Sequence, residues 1–169
     1  KNPDYDLAII EALKLSGNTT SAISRLFSQL PIYMKGSTWY ELNSGSPELV
    51  KGVANRYEES ARKYALELHA EGQKTKNDKL YENAKNLYQK YLEFFSRSTH
   101  APTIQFYLAE ILYKQERYIE AADNYYDVYK TPTAGNLRVD SIHYALMALD
   151  KEMNAQRKKD GLTEISKSN

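Results

Sequence analysis

The chain has 169 residues, with 23 basic against 22 acidic side chains, a formal net charge of +1 and no cysteine. The balanced charge leaves no dominant basic face of the kind that nucleic-acid binding requires, and without cysteine there are no disulfides, thiolate metal sites or thiol nucleophiles. No apolar run approaches the ~20 residues of a membrane-spanning helix, so we expect no direct membrane span.

The N-terminal segment, residues 1–36, is predicted to form a helical hairpin. Its first helix covers about residues 4–15 and ends at a Gly-Asn pair, which favours a helix C-terminus. Thr19 or Thr20 can cap the second helix, because a hydroxyl oxygen can accept a hydrogen bond from a free backbone N–H. Pro31 is expected to close this second helix.

Residues 37–47 are rich in Gly, Ser and Asn and are predicted to form a loop. An array of helical hairpins follows over residues 48–155. It begins with a long helix whose apolar side chains recur at steps of three and four and which reaches about Gly72. Asp78 can cap the next helix, which ends near Phe95.

Two further helices are predicted between Ala101 and Tyr129, and a break rich in turn residues follows at residues 131–135. A last helix comes next, and residues 156–169 are polar and predicted to be a tail. The apolar positions of the last helix are Val139, Ile142, Ala145, Leu146, Leu149 and Met153. The sequence therefore predicts an all-α fold of about seven helices in one domain over residues 1–169.

The most regular pattern lies in residues 102–129, which read as two amphipathic helices joined by a tight turn. Ala109 and Ala121 are small residues at the places where two such helices would cross closely. The second helix also matches an earlier helix position by position, with Tyr118, Ala121 and Tyr125 repeating Tyr81, Ala84 and Tyr88. This layout resembles the tetratricopeptide repeat (TPR), which implies an α-solenoid that binds proteins. A generic helix bundle is the alternative interpretation.

Short stretches within residues 84–129 narrow this resemblance. They are Ala-Pro at 101–102, Leu-Ala-Glu at 108–110 and Leu-Tyr at 112–113. Together they resemble the TPR units of bacterial envelope families such as the TolA-binding periplasmic protein and the outer-membrane assembly lipoproteins. The resemblance implies a non-enzymatic scaffold or adaptor in a cell-envelope complex, located in the periplasm or envelope. A cytosolic TPR adaptor and a helical accessory domain of a larger envelope enzyme or lipoprotein stay open as alternatives.

The resemblance also implies a binding surface, because the first helix of each TPR unit lines the concave groove. The positions that would face this groove and bind a partner peptide or helix are Phe106, Glu110, Tyr113 and Lys114. Phe106 and Tyr113 are aromatic residues of the kind that anchor interfaces, although packing against neighbouring helices is the alternative for both. The set of basic residues that clamps a C-terminal carboxylate in some TPR domains is absent, and Glu110 would repel such a group.

The sequence offers no catalytic, metal-binding or cofactor-binding set of residues. His69, His100 and His143 have no partners at metal-ligand spacing, and there is no glycine-rich phosphate loop. We therefore expect a protein that is not an enzyme and that uses no cofactor. Its predicted partner is a protein or a peptide.

Overall fold

The computed structural model describes residues 1–160, and this part of the chain is helical with no strand. The predicted all-α fold class is confirmed. Residues 1–160 form eight α-helices and one short 3-10 helix. The α-helices are α1 (Pro3–Leu15), α2 (Thr19–Tyr33), α3 (Thr38–Asn43), α4 (Pro47–Thr75), α5 (Asp78–Phe95), α6 (Ala101–Lys114), α7 (Tyr118–Lys130) and α8 (Leu137–Lys159), and the 3-10 helix is Pro132–Ala134.

The helices fall into two compact units, a division that the sequence did not predict. The first unit is Lys1–Ser96, with α1 to α5, and the second begins at Arg97 and contains α6 to α8. Each unit has its own set of buried apolar side chains.

In the first unit, α1 and α2 form the predicted N-terminal hairpin, and an asparagine caps each helix. The side-chain oxygen of Asn2 accepts hydrogen bonds from two backbone N–H groups of the first turn of α1. The side-chain oxygen of Asn18 accepts one from the N–H of Ser21, so Asn18 caps α2 in place of the predicted Thr19 or Thr20. Asparagine is among the best residues for this position.

Two predicted breaks in the first unit are wrong in part. Pro31 does not end α2, which continues to Tyr33, because a proline in the last turn removes only one helical hydrogen bond. The predicted loop at 37–47 contains the six-residue helix α3. The Oγ of Ser37 caps α3 by accepting a hydrogen bond from the N–H of Tyr40 at 3.0 Å.

Helices α4 and α5 form the second hairpin of this unit. Helix α4 continues to Thr75, beyond the predicted end at Gly72, and Asn77 rather than Asp78 caps α5. Gly72 is buried where the two helices meet, and a Cβ built on it would lie 3.3 Å from the Cβ of Leu80. Glycine therefore permits an approach that a larger residue would hinder.

In the second unit, α6 and α7 form the hairpin predicted from residues 102–129, and α8 packs along α7. The two small residues that predicted a close crossing, Ala109 and Ala121, are both completely buried. The turn between the helices places Glu116 at φ +60°, a left-handed conformation that ends α6 sharply.

The buried face of α8 differs from its apolar pattern. Its buried residues are Ser141, Ala145 and Ala148, which are small enough to let α8 approach its neighbour closely. The larger apolar residues Val139, Leu146, Leu149 and Met153 are exposed. Helix α8 also continues to Lys159, so the predicted tail is wrong for residues 156–159. The last part of that predicted tail, residues 161–169, lies outside the described residues.

Candidate partner-binding site on helix α6

Helix α6 carries all four residues that the sequence proposed for partner binding. Phe106, Glu110 and Tyr113 are spaced by four and three residues, which places them on one face of the helix. Lys114 follows at the edge of that face and is exposed. The helix begins with Ala101 and Pro102, and proline is favoured at this position because its ring presets a helical φ and its missing N–H needs no partner there.

Phe106 is buried, which agrees with the alternative of packing against neighbouring helices and not with exposure in a groove. Its side chain is 8% exposed and packs edge-to-face against Tyr125 of α7 and Tyr144 of α8, with ring centroids 5.3 Å and 5.8 Å apart. The physical reason is that α8 crosses this face of the hairpin and covers the ring. Phe106 therefore forms the floor of the site and holds three helices together.

The exposed part of the site consists of two tyrosines. Tyr113 is half-buried, and its ring lies edge-to-face with that of Tyr118 at 5.3 Å. Tyr144 is 40% exposed and stacks on the buried Tyr125 with their ring centroids 5.5 Å apart. A partner molecule can therefore reach aromatic rings that the helices already hold in place.

Glu110 supplies the charge of the site. It is half-buried, and burial raises the pKa of its carboxyl above the ordinary value. Burial first, and then the negative charge of Glu110, raise the pKa of the Tyr125 hydroxyl. Within the described part of the chain, no ion pair includes Glu110.

The sequence missed Tyr144 as a site residue. It lies in α8 at one position after the exposed His143, and its place beside Tyr125 depends on how α8 packs on α7. The sequence feature that could have indicated Tyr144 is its spacing from Ser141 and Ala148, which puts all three residues near one side of the helix. That feature is weak, because a small serine and alanine do not stand out as a buried face.

The described part of the chain places none of the three histidines in an arrangement that would hold a metal. His69 is buried, its Nδ1 lies 3.0 Å from the Tyr88 hydroxyl, and its Nε2 lies 3.2 Å from Nε2 of Gln73. The contact with Tyr88 joins α4 to α5, and the contact with Gln73 lies within α4. Among residues 1–160, no three His, Asp or Glu side chains are grouped closely enough to hold a metal ion.

Comparisons with known proteins found no counterpart. No family model, curated protein or solved structure matches the chain. No helix within residues 1–160 is both long and apolar enough to cross a bilayer.

Proposed function

We propose that this chain is a TPR-like protein-binding module that acts as a non-enzymatic scaffold or adaptor. Its binding surface is the face of α6 with the adjoining part of α8. The observation that carries the proposal is the pair of accessible tyrosines, Tyr113 and Tyr144, each held against another ring, beside a Glu110 that forms no ion pair within residues 1–160. Rigid aromatic residues with a polar neighbour are the usual anchors of protein interfaces.

The packing of the second unit supports a TPR-like arrangement. Helix α8 contacts both α7 and α6, as the first helix of a further repeat would. The fully buried Ala109 and Ala121 lie on the two helices of one hairpin, where the repeat pattern requires small residues. In such an array the first helices, here α6 and α8, line the binding surface.

The location that we propose is the bacterial cell envelope, on the resemblance of residues 84–129 to envelope TPR units. A cytosolic adaptor is the second location compatible with the same module. Cell fractionation of the native host with an antibody against the chain distinguishes the two, because envelope and cytosolic fractions separate.

Site-directed photocrosslinking tests the binding surface directly. A photoreactive phenylalanine at Tyr113 is expected to give a discrete protein adduct in the native host. The same probe at Tyr126, a 47% exposed tyrosine on α7, serves as the matched control and should not give that adduct. Identical adducts at both positions, or none at either, would contradict the proposed surface.

The partner found in this way permits a quantitative test. Tyr113→Ala is expected to weaken its binding by about 2 kcal/mol or more, roughly 30-fold, if Tyr113 is an anchor. The circular dichroism and melting temperature should stay close to those of the parent chain, because Tyr113 is only half-buried. An unfolded variant would instead make Tyr113 a core residue.

A further inference from the structure

An aromatic surface built from three helices adjoins Glu110 in the second unit. It comprises Phe106 and Tyr113 on α6, Tyr125 on α7 and Tyr144 on α8, and we name it with Glu110 the Glu110 site. We propose that the Glu110 site binds a lysine or arginine side chain of the protein partner. This inference rests on the proposed protein-binding function and specifies the chemistry that the partner must present.

The carboxylate is the first part of the argument. Glu110 is partly withdrawn from water, and burial is what raises its pKa. Within the described residues 1–160, no lysine or arginine forms an ion pair with it. A desolvated carboxylate without a positive partner is unfavourable for the free protein, so a cation brought by a ligand would supply a missing interaction.

The aromatic rings are the second part. The face of a tyrosine ring attracts an ammonium or guanidinium group that lies within about 6 Å of its centre. The methylene groups of a lysine or arginine side chain also pack on apolar surface while the charged end stays at the rim. The accessible rings of Tyr113 and Tyr144 provide such a surface, and the buried Phe106 and Tyr125 lie behind Tyr144 and hold it in place.

The first unit already contains this recognition chemistry within the chain. Lys14 of α1 places its Nζ 4.6 Å from the centre of the Tyr64 ring and 2.8 Å from a carboxylate oxygen of Glu67. Tyr64 and Glu67 are three residues apart on α4, and Glu110 and Tyr113 are three residues apart on α6 in the reverse order. The pair on α4 thus holds a lysine from a neighbouring helix, whereas the described chain supplies none to the pair on α6.

A second internal example shows the same combination. Lys130 of α7 lies 4.8 Å from the centre of the Tyr126 ring, and its Nζ is 2.7 Å from a carboxylate oxygen of Asp127. Both of these intramolecular sites are filled by lysine. By analogy, the Glu110 site is expected to take a basic side chain. An anionic group would be repelled by the carboxylate of Glu110.

Small amides of single amino acids test the inference with the full chain. Nα-acetyl-lysine amide and Nα-acetyl-arginine amide are titrated while the tyrosine ring resonances are followed by NMR, with assignments from Tyr113→Phe and Tyr144→Phe. Saturable shifts of these two rings are expected with both probes. The neutral analogues, the amides of norleucine and citrulline, should give no saturable shift.

Two glutamine substitutions locate the charge that is responsible. Glu110→Gln is expected to weaken probe binding about tenfold or more, because a hydrogen bond to a charged group is lost. Glu116→Gln removes the same charge from an exposed turn and should leave binding unchanged. Glu110→Gln breaks no ion pair within residues 1–160, so its circular dichroism should match that of the parent. Equal binding of the neutral analogues, an unchanged affinity in Glu110→Gln, or no saturable shift would each overturn the inference.

The crosslink at Tyr113 separates this inference from the proposed function. If Glu110→Gln keeps that crosslink and its affinity for the partner, the inference fails and the protein-binding function stands. If the basic probes bind at Glu110 while no crosslink forms, the cation site stands and the proposed function fails.

Discussion

Asp6 links the first two helices through groups that are partly withdrawn from water. One of its carboxylate oxygens accepts a hydrogen bond from Arg25 at 2.6 Å, and the other accepts one from the Tyr33 hydroxyl. Burial raises the pKa of Asp6, but the hydrogen bonds from Tyr33 and Arg25 lower this pKa by a larger amount. The pKa of Asp6 is therefore below its ordinary value of 3.8. Beside this network, the buried hydroxyl of Tyr57 has no hydrogen-bond partner among residues 1–160.

Acid should therefore weaken the first unit through Asp6. Because its pKa is lower in the folded chain, the ionised form stabilises folding above about pH 3.8 and this contribution is lost as the pH falls through the folded-state pKa. Asp6→Asn is expected to lower the free energy of unfolding at neutral pH by about 1.5–3 kcal/mol, since it removes hydrogen bonds to a charged group. Urea denaturation at several pH values measures both effects.

The exposed Asp123 on α7 provides the matched control for this experiment. Asp123→Asn should change the stability of the chain by at most about 0.5 kcal/mol, as is usual for a surface substitution. The comparison is made as the pH falls below about 5, where carboxylates titrate. If Asp6→Asn and the parent chain lose the same free energy of unfolding there, Asp6 is not the cause of the acid destabilisation.

Sequence reasoning identified the residues of α6 but not their degree of burial. The spacing of Phe106, Glu110 and Tyr113 follows from helical geometry alone, and the structure places all three on one face. The burial of Phe106 depends on Tyr144, which comes from a helix more than 30 residues away in the sequence. Helical periodicity describes one element, so it cannot give contacts that the packing of another element creates.

At the scale of the helices, Gly72 determines how closely α4 approaches α5. A Cβ at this position would lie 3.3 Å from the Cβ of Leu80 and 3.3 Å from the backbone nitrogen of Tyr81. The backbone of a capped helix start has little room to move. Gly52, on the same helix, has no atom within 4 Å of an equivalent Cβ.

Alanine at these two glycines should have opposite effects. Gly52→Ala is expected to raise the free energy of unfolding by about 0.5–1 kcal/mol, because alanine has the higher helix propensity. Gly72→Ala gains the same propensity but forces α4 and α5 apart, so we expect a net loss of stability. Thermal unfolding of the two variants gives the comparison. Stabilisation by both substitutions would show that the α4–α5 contact adjusts without cost.

Most helix positions followed from the sequence, and the exceptions have local causes. Apolar periodicity gave α5, α6 and α7 close to their observed bounds, because each has one continuous buried face. The six residues of α3 are too few to show a period. In α8 the large apolar side chains lie outside the contact with α7, and the buried face consists of small residues. The periodicity of the large apolar residues therefore indicated the wrong face of this helix.

Across the whole chain, the high tyrosine content reflects packing more than surface recognition. Of the 15 tyrosines, the buried ones are Tyr33, Tyr57, Tyr64, Tyr81, Tyr88, Tyr91 and Tyr125. Several of their hydroxyls are hydrogen-bonded to acids or to a histidine, as Tyr64 is to Glu11 and Tyr91 to Glu58. The composition therefore indicated large contact areas with polar tips, but it could not separate core tyrosines from those of a binding surface.

The one tryptophan of the chain makes it possible to follow the first unit alone by fluorescence. Trp39 lies in α3, with its ring edge-to-face against Tyr33 at 5.2 Å, so its fluorescence depends on the packing of the first unit. Far-ultraviolet circular dichroism records the helices of both units. Because each unit has its own buried side chains, we expect the two denaturation curves to have different midpoints. Coincident curves would mean that the chain unfolds in one step, and Trp39 would then report on all of it.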